Sequence, residues 1–278
     1  MLDKLKMRLA NVVTLGYFDR FRAEREKYRN ARKLYLDMIQ ACLTGVIYED
    51  EPLQTLGQQR YDATLREHGW DWPSKAQTMV GVKRLANARL LAEHVIQKRI
   101  PGDLMETGVW RGGVCIMLRA VLAAHGDMER RVWAADSFAG LPAPDAGKYP
   151  ADSGDVFHEY RDLCVSLDEV KANFQKYGLL DDRVVFLKGW FKDTLPAADI
   201  SALALLRLDG DMYESTIVPL DALYDRVSPG GFVIIDDYHV VEGCRRAVHD
   251  FLGRRNLAPE FIEIDGVGIY WQKPGLPT

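Results

Sequence analysis

The sequence predicts an α/β fold, a mostly parallel sheet with helices on both faces, preceded by a helical N-terminal part. Two patterns carry that expectation. From about residue 80 onward, short apolar runs alternate with amphipathic stretches, as parallel strands require because a crossover helix must join each pair. The last two apolar runs, 261–264 and 267–271, flank Asp265-Gly266, a strong two-residue hairpin signal. A hairpin has no crossover, so at least one closing strand must run antiparallel.

In chain order, the first fifty residues place apolar side chains at helical spacing: Leu5, Leu9, Val12 and Val13, then Leu34, Met38 and Cys42. Residues 18–33, dense in charge and Arg, read as a solvated helix face. Val82 to Lys98 is an amphipathic helix stopped by Pro101-Gly102. Residues 103–107 are a short strand broken by Gly108, followed by helix from Gly113 to Ala124. Arg131 to Asp136 reads as a buried strand, 167–177 as helix and 184–187 as strand. Ala202 to Leu208 is a strand closed by Asp209, and Ser215 to Val227 a helix. Gly231 to Ile235 is a strand closed by Asp236-Asp237, and Arg245 to Leu252 the last helix. The change of texture near residue 80 divides the chain into a helical arm, 1–80, and a sheet domain, 81–278. The stretch 139–160, with Gly140, Pro142, Pro144, Gly147, Pro150 and Gly154, has no periodicity and reads as a substrate lid.

Composition narrows the function. Hydrophobic residues make up 47% of 278, enough for a core without staples. Lys and Arg number 36 against 40 Asp and Glu, a net charge of −4, the reverse of a nucleic-acid binder's balance. Four cysteines with no C-x-x-C pair give no support to zinc ribbons and fit a reducing, cytoplasmic setting. No apolar run reaches the roughly eighteen residues of a membrane span. The charged start, MLDKLKMRLANVV, does not read as a secretory signal. Neither nucleic acid nor membrane is therefore an expected partner.

In open parallel sheets, ligands bind beyond the carboxyl ends of the strands. Here four strands end in acids: Glu106, Asp136, Asp209 and Asp236-Asp237. Like charges gathered at one edge repel unless a cation or a hydroxyl-bearing ligand sits among them. After the first strand, the turn Glu106-Thr107-Gly108 through Gly112-Gly113 lets backbone approach a ligand closely. Its G-x-x-x-G-G spacing is not the dinucleotide G-x-G-x-x-G, and no P-loop lysine is present. Asp136 is placed to accept hydrogen bonds from ribose hydroxyls, as strand-end acids of nucleotide sites do. Gly189-Trp190-Phe191 could wall an adenine ring or belong to the core. Asp209, Asp236 and Asp237 can converge as three hard oxygen ligands, suited to Mg²⁺, Mn²⁺ or Ca²⁺ and not to zinc. His239, two residues on, stays open as a base, a neighbour of the ligands or a loop histidine.

Long motifs carry a resemblance. ETGVWRGG (106–113), WAADSFAGLPAPD (133–145), LKGWFKDTLP (187–196), LRLDGDMYEST (206–216) and SPGGFVIIDDYH (228–239) resemble the macrocin O-methyltransferase family, as do residues 35–50 and 71–85. The likeness spans roughly residues 33–272; the first thirty-odd residues show no family motif. It implies a class I S-adenosylmethionine-dependent methyltransferase fold, Rossmann-like, with seven strands and an N-terminal helical lid. It also implies Mg²⁺-dependent methyl transfer from S-adenosyl-L-methionine to a deoxysugar hydroxyl on a small glycosylated natural product. Family metal ligands fall on Asp209, Asp236 and Asp237, and the family's general base on Asp211. Cofactor contacts fall on Glu106, Gly108 and Asp136-Ser137, with further ones at Tyr48, Met79 and Trp190. If the chain stays extended through Gly210, Asp211 faces the same side as Asp209. A catechol-type phenol is the alternative acceptor on the same fold. A nicotinamide dehydrogenase is disfavoured by the glycine spacing and the acidic cluster. The N-terminal arm makes a homo-oligomer the expected assembly.

Overall fold

The computed structural model describes residues 26–275. The helix expected around Leu5, Leu9, Val12 and Val13, and the charged stretch up to residue 25, lie outside the described residues. The chain divides into two compact units, Met1–Met38 and Ile39–Thr278. Residues 26–43 are helical (α1). The second unit holds a seven-stranded sheet with strand order β3-β2-β1-β4-β5-β7-β6. Its strands are β1 Asp103–Thr107, β2 Val132–Asp136, β3 Val184–Lys188, β4 Leu203–Leu208, β5 Val227–Ile235, β6 Ile262–Glu263 and β7 Ile269–Gln272. The first five pair in parallel; β7 runs antiparallel to β5, and β6 antiparallel to β7. The hairpin signal at Asp265-Gly266 therefore closes the sheet as expected.

The helices are α2 Ala63–His68, α3 Gly81–Gln97, α4 Gly113–His125, α5 Leu167–Lys176, α6 Phe191–Thr194, α7 Tyr213–Leu223 and α8 Glu242–Arg254. Strand β4 is buried along its whole length, which is why it reads as an unbroken apolar run; Arg207 is its one charged residue. Helix α4 is buried from Gly113 to Leu122, so it has no polar face to show. Helix α7 ends earlier than the sequence suggests, at Leu223, and β5 begins at Val227. A register irregularity between Leu203 and Leu205 lets β5 carry Pro229 and Gly230 within the strand instead of in a preceding turn. The 139–160 stretch is irregular but not structureless: Pro150–Asp152 and Phe157–Glu159 are single 3₁₀ turns.

A buried ionic network fastens residues 44–76. Arg66, fully buried, donates to both oxygens of Asp71 at 2.7–3.0 Å, to the Thr44 carbonyl at 2.8 Å and to the Asp50 carbonyl at 2.7 Å. The Asp50 carboxylate accepts from Ser74 Oγ, Lys75 N and Ala76 N, each at 2.8 Å.

Sheet order places the switch point between β1 and β4, where successive strands leave in opposite directions. Ligands of such sheets bind in the crevice this opens at the carboxyl ends. Here those ends carry Glu106 and Asp209.

Candidate active site

A cavity opens over the carboxyl ends of β1, β2, β3 and β4. Its floor is the turn after β1. Gly108 has φ of +82°, and a Cβ there would sit 1.6 Å from the Asp209 carbonyl oxygen, so only glycine lets β1 and β4 close at this point. Gly112, with φ of +87°, precedes α4; a Cβ on it would meet Val170 Cγ1 at 2.8 Å. The turn thus forms under two separate steric demands.

Glu106, Gly108, Asp136, Ser137, Gly189, Trp190, Met79, Asp209 and Asp211 all line the cavity. Asp136 is held in place by backbone: Val109 N donates to Oδ2 at 2.8 Å and Phe138 N to Oδ1 at 2.7 Å. Burial pushes its carboxyl up, against the pull of those amides. Trp190 is 38% exposed at the cavity, so it belongs to the wall and not to the core.

Other expected residues stand elsewhere. Thr107 is buried in β1, and its carbonyl accepts from Asp209 N at 2.9 Å. Gly112 stands at the start of α4, outside the lining. Tyr48, half exposed on the 3₁₀ turn Val46–Tyr48, is not part of the lining either. His239 is the clearest displacement. Its Nε2 lies 2.8 Å from Glu263 Oε2 on β6, and it is absent from the cavity wall. Following Asp237 by two residues does not aim it at the site, because the chain turns between them: Val240 N and Val241 N both donate to the Asp237 carbonyl.

Asp209, Asp236 and Asp237 each offer a carboxylate oxygen within 4.8 Å of the others. Two arginines that sequence reasoning did not single out organise them. Register sets Arg207 directly beside Glu106 across the β1–β4 pair. Arg207 donates to Glu106 Oε1 at 2.5 Å, to Asp209 Oδ2 at 2.8 Å and to Asp236 Oδ1. Arg84 of α3 donates to Asp236 Oδ2 and to Asp265 Oδ2, the latter at 3.1 Å. One signal was available: a lone Arg inside the apolar run LALLRL needs buried acids nearby.

The arginines do not balance the acids. Burial works against charge on Arg207, yet Asp236, Asp209 and Glu106 hold its pKa well above the usual value. Burial lifts Glu106 to about 7 despite Arg207. Burial and the Asp236 charge lift Asp209 to about 6. Asp211 reaches about 8, through burial and then Asp209 and Asp236. Asp237 stands far above the carboxylate range, through burial and then Asp211, Asp209 and Asp236; its carboxylate accepts one long bond, 3.3 Å from Asp211 N. A divalent cation fits this donor set: all-oxygen, hard, and short of positive charge. A bound cation is the largest local charge in such a site and reverses this pKa logic.

Asp211 reaches the cavity by a route other than the expected one. Its φ is +58°, and Met212 N donates to the Gly210 carbonyl at 2.6 Å, so the chain is a tight turn there and not extended. The i, i+2 alternation argument therefore fails, although Asp209 and Asp211 do meet in one wall.

Comparison with known proteins agrees with this architecture. The family model Macrocin-O-methyltransferase (TylF) matches residues 2–273. The chain is 54% identical over 245 residues to the Streptomyces olivaceus 8-demethyl-8-(2,3-dimethoxy-alpha-L-rhamnosyl)-tetracenomycin-C 4'-O-methyltransferase, covering 87% of this chain and 94% of the relative. It is 49% identical to the Streptomyces niveus demethyldecarbamoylnovobiocin O-methyltransferase, covering 86% and 93%. The solved O-methyltransferase NovP superposes with a TM-score of 0.84 at 47% identity, covering 87% of this chain and 99% of that one. With a seven-stranded class I sheet, a strand-end cavity and these relatives, the chain belongs to the macrocin O-methyltransferase family of S-adenosylmethionine-dependent O-methyltransferases.

Proposed function

We propose that this chain methylates a hydroxyl of a deoxysugar carried by a small glycosylated natural product, using S-adenosyl-L-methionine and Mg²⁺. The observation that carries the reading is the strand-end cluster: three mutually close carboxylates, Asp209, Asp236 and Asp237, of which Asp209 lines the cavity together with Asp211, Asp136 and Glu106, while Asp236 and Asp237 stand behind that wall. The acceptor class follows the relatives, whose names describe a rhamnosyl tetracenomycin, demethyldecarbamoylnovobiocin and, for a Micromonospora griseorubida enzyme, mycinamicin III as substrates.

When bound, S-adenosyl-L-methionine would supply a methyl on a sulfonium, and Asp209, Asp236 and Asp237 would hold a Mg²⁺ whose charge would make an alcohol more acidic. Asp136 would accept hydrogen bonds from the ribose hydroxyls, and the Glu106–Val109 turn, which lines the cavity, would meet the methionine end. Trp190, in the cavity wall, would flank the adenine. Asp211 accepts the proton of the attacking hydroxyl as the methyl moves. Fixed strand ends supply the proximity that in-line transfer requires.

The test is direct. The purified protein is incubated with S-adenosylmethionine and either deoxysugar glycosides or catechols, with Mg²⁺ or with EDTA, and products are read by mass. Methylated glycoside only with Mg²⁺ is expected. Methylation of catechol alone, or full turnover in EDTA, overturns the acceptor or the metal respectively.

A further inference from the structure

The turn that carries Asp211 is pinned from both sides. On the strand side, Asp209 N donates to the Thr107 carbonyl at 2.9 Å. On the helix side, α7 begins at Tyr213, and its N-cap position is Met212, which has no side-chain acceptor. The first amides of a helix need acceptors. Here they come from 61 residues away: Asp152 Oδ1 accepts from Tyr213 N at 2.6 Å and Oδ2 from Glu214 N at 2.9 Å.

Asp152 belongs to the irregular segment between β2 and α5, the expected lid. It is 3% exposed. Its own backbone is fixed, since Asp152 N donates to the Tyr149 carbonyl at 3.0 Å and Asp155 N to the Asp152 carbonyl at 3.1 Å. The Tyr149 ring lies 5.8 Å from that of Tyr213. Helix α8 closes over the contact: a Cβ at Gly243 would come 3.0 Å from Tyr213 N and 3.1 Å from Asp152 Oδ1. A carboxylate on two helix-terminal amides also meets the positive end of the helix dipole.

Asp211, two residues before Tyr213, sits at a left-handed φ of +58°, a conformation that persists only where surrounding structure imposes it. We infer that Asp152 is a positioning residue for methyl transfer: it ties the lid segment to the start of α7 and so holds the Asp211 turn in its working conformation. A lid that is out of place would leave the base out of place. This rests on Asp211 being the proton acceptor.

A double-mutant cycle tests it, with Asp152→Ala, Asp211→Asn and the double variant compared with the wild type. Expected for Asp152→Ala is a kcat loss of about ten- to a hundredfold, the scale of a misplaced group. Acceptor KM rises, while calorimetric affinity for S-adenosylhomocysteine stays within about twofold, since Asp152 is not in the cavity wall. Asp152→Asn, which keeps one carbonyl acceptor, should recover part of the rate. The decisive reading is additivity: the double variant should be no slower than Asp211→Asn alone, because the cap acts through that side chain. Multiplied losses, or unchanged kcat in Asp152→Ala, overturn the proposal. If Asp152→Ala does not fold, the same cycle built on Asp152→Asn decides between the two outcomes. Unchanged kcat in Asp211→Asn alone would instead reject the base assignment.

Discussion

Arg66 and Arg207 are among the largest side chains wholly shut off from water, and they close their surroundings in different ways. Around Arg66 every group is answered. Its guanidinium meets Asp71 in a fork and two backbone carbonyls, and the neighbouring Asp50 carboxylate has three donors of its own. Around Arg207 the charges do not close. Arg207 and Arg84 face Glu106, Asp209, Asp211, Asp236, Asp237 and Asp265, and burial holds several of those carboxyls well above their ordinary range. A satisfied buried network rigidifies a fold. An unsatisfied one at a cavity wall is a demand for a ligand.

The largest effect expected on the open side is catalytic. Asp211→Asn should lower kcat by about 10²–10⁴-fold, the usual cost of losing a general base. S-adenosylhomocysteine affinity by calorimetry should change little, because the proton is accepted only as the reaction proceeds. Retention of near-normal kcat would place the base elsewhere and weaken the contrast at its functional end.

On the closed side the expected effect is on stability alone. Arg66→Met leaves Asp71 buried without its partner, which typically costs about 3–5 kcal/mol. Urea denaturation should show that loss, while kcat per folded molecule stays near the wild type. A large kcat loss in folded Arg66→Met enzyme would mean that the 44–76 segment does more than support the site.

Asp237 offers the sharpest version of the comparison, because the two sides predict opposite signs. Its burial among carboxylates destabilises the metal-free fold, so Asp237→Asn should raise the melting temperature measured in EDTA. In the wild type, Mg²⁺ at a hundred times its Kd should stabilise by about 2.7 kcal/mol. That gain should vanish in Asp237→Asn. A lower melting temperature in EDTA for the variant would show that Asp237 is a structural acid like Asp71.

Strand-helix alternation made the sheet readable; of the acids at its strand ends, Glu106, Asp136 and Asp209 line the cavity, whereas Asp236 and Asp237 lie next to Asp209 outside the lining. The α7–β5 boundary was not readable, because Pro229-Gly230 looks like a turn and only the neighbouring strand's irregular register absorbs it. The arginines were half readable: Arg207 stands out in an apolar strand, but only the fold says which acids it meets. Asp152 left no local signal at all, since helix caps are sought next to the helix and this one arrives from a distant loop. Asp211 lines the cavity for a reason the sequence did not offer, a left-handed turn instead of strand alternation. Tyr48 stands on a half-exposed 3₁₀ turn away from the lining, a placement that depends on how residues 44–76 fold rather than on local motif.

His239 should show the smallest effect, and it tests whether proximity in sequence to a cluster means anything once the chain has turned. The ring is paired with Glu263 at 2.8 Å, with side chains 34% and 59% exposed. Exposed pairs of this kind contribute about 0–1 kcal/mol. The ring also meets the Tyr238 ring edge-on at 4.9 Å, and the backbone amide donates to the Val267 carbonyl at 3.0 Å. None of these partners lines the cavity. His239→Ala should therefore shift stability only slightly and leave kcat within about twofold, since a residue that touches no reacting group has no transition-state interaction to lose. A pH profile of kcat should likewise be unchanged in the variant, because the ring stands outside the cavity wall. If kcat instead fell by tenfold or more while Asp211→Asn remained active, the histidine would be the base. The open cluster at the strand ends would then serve the cation alone.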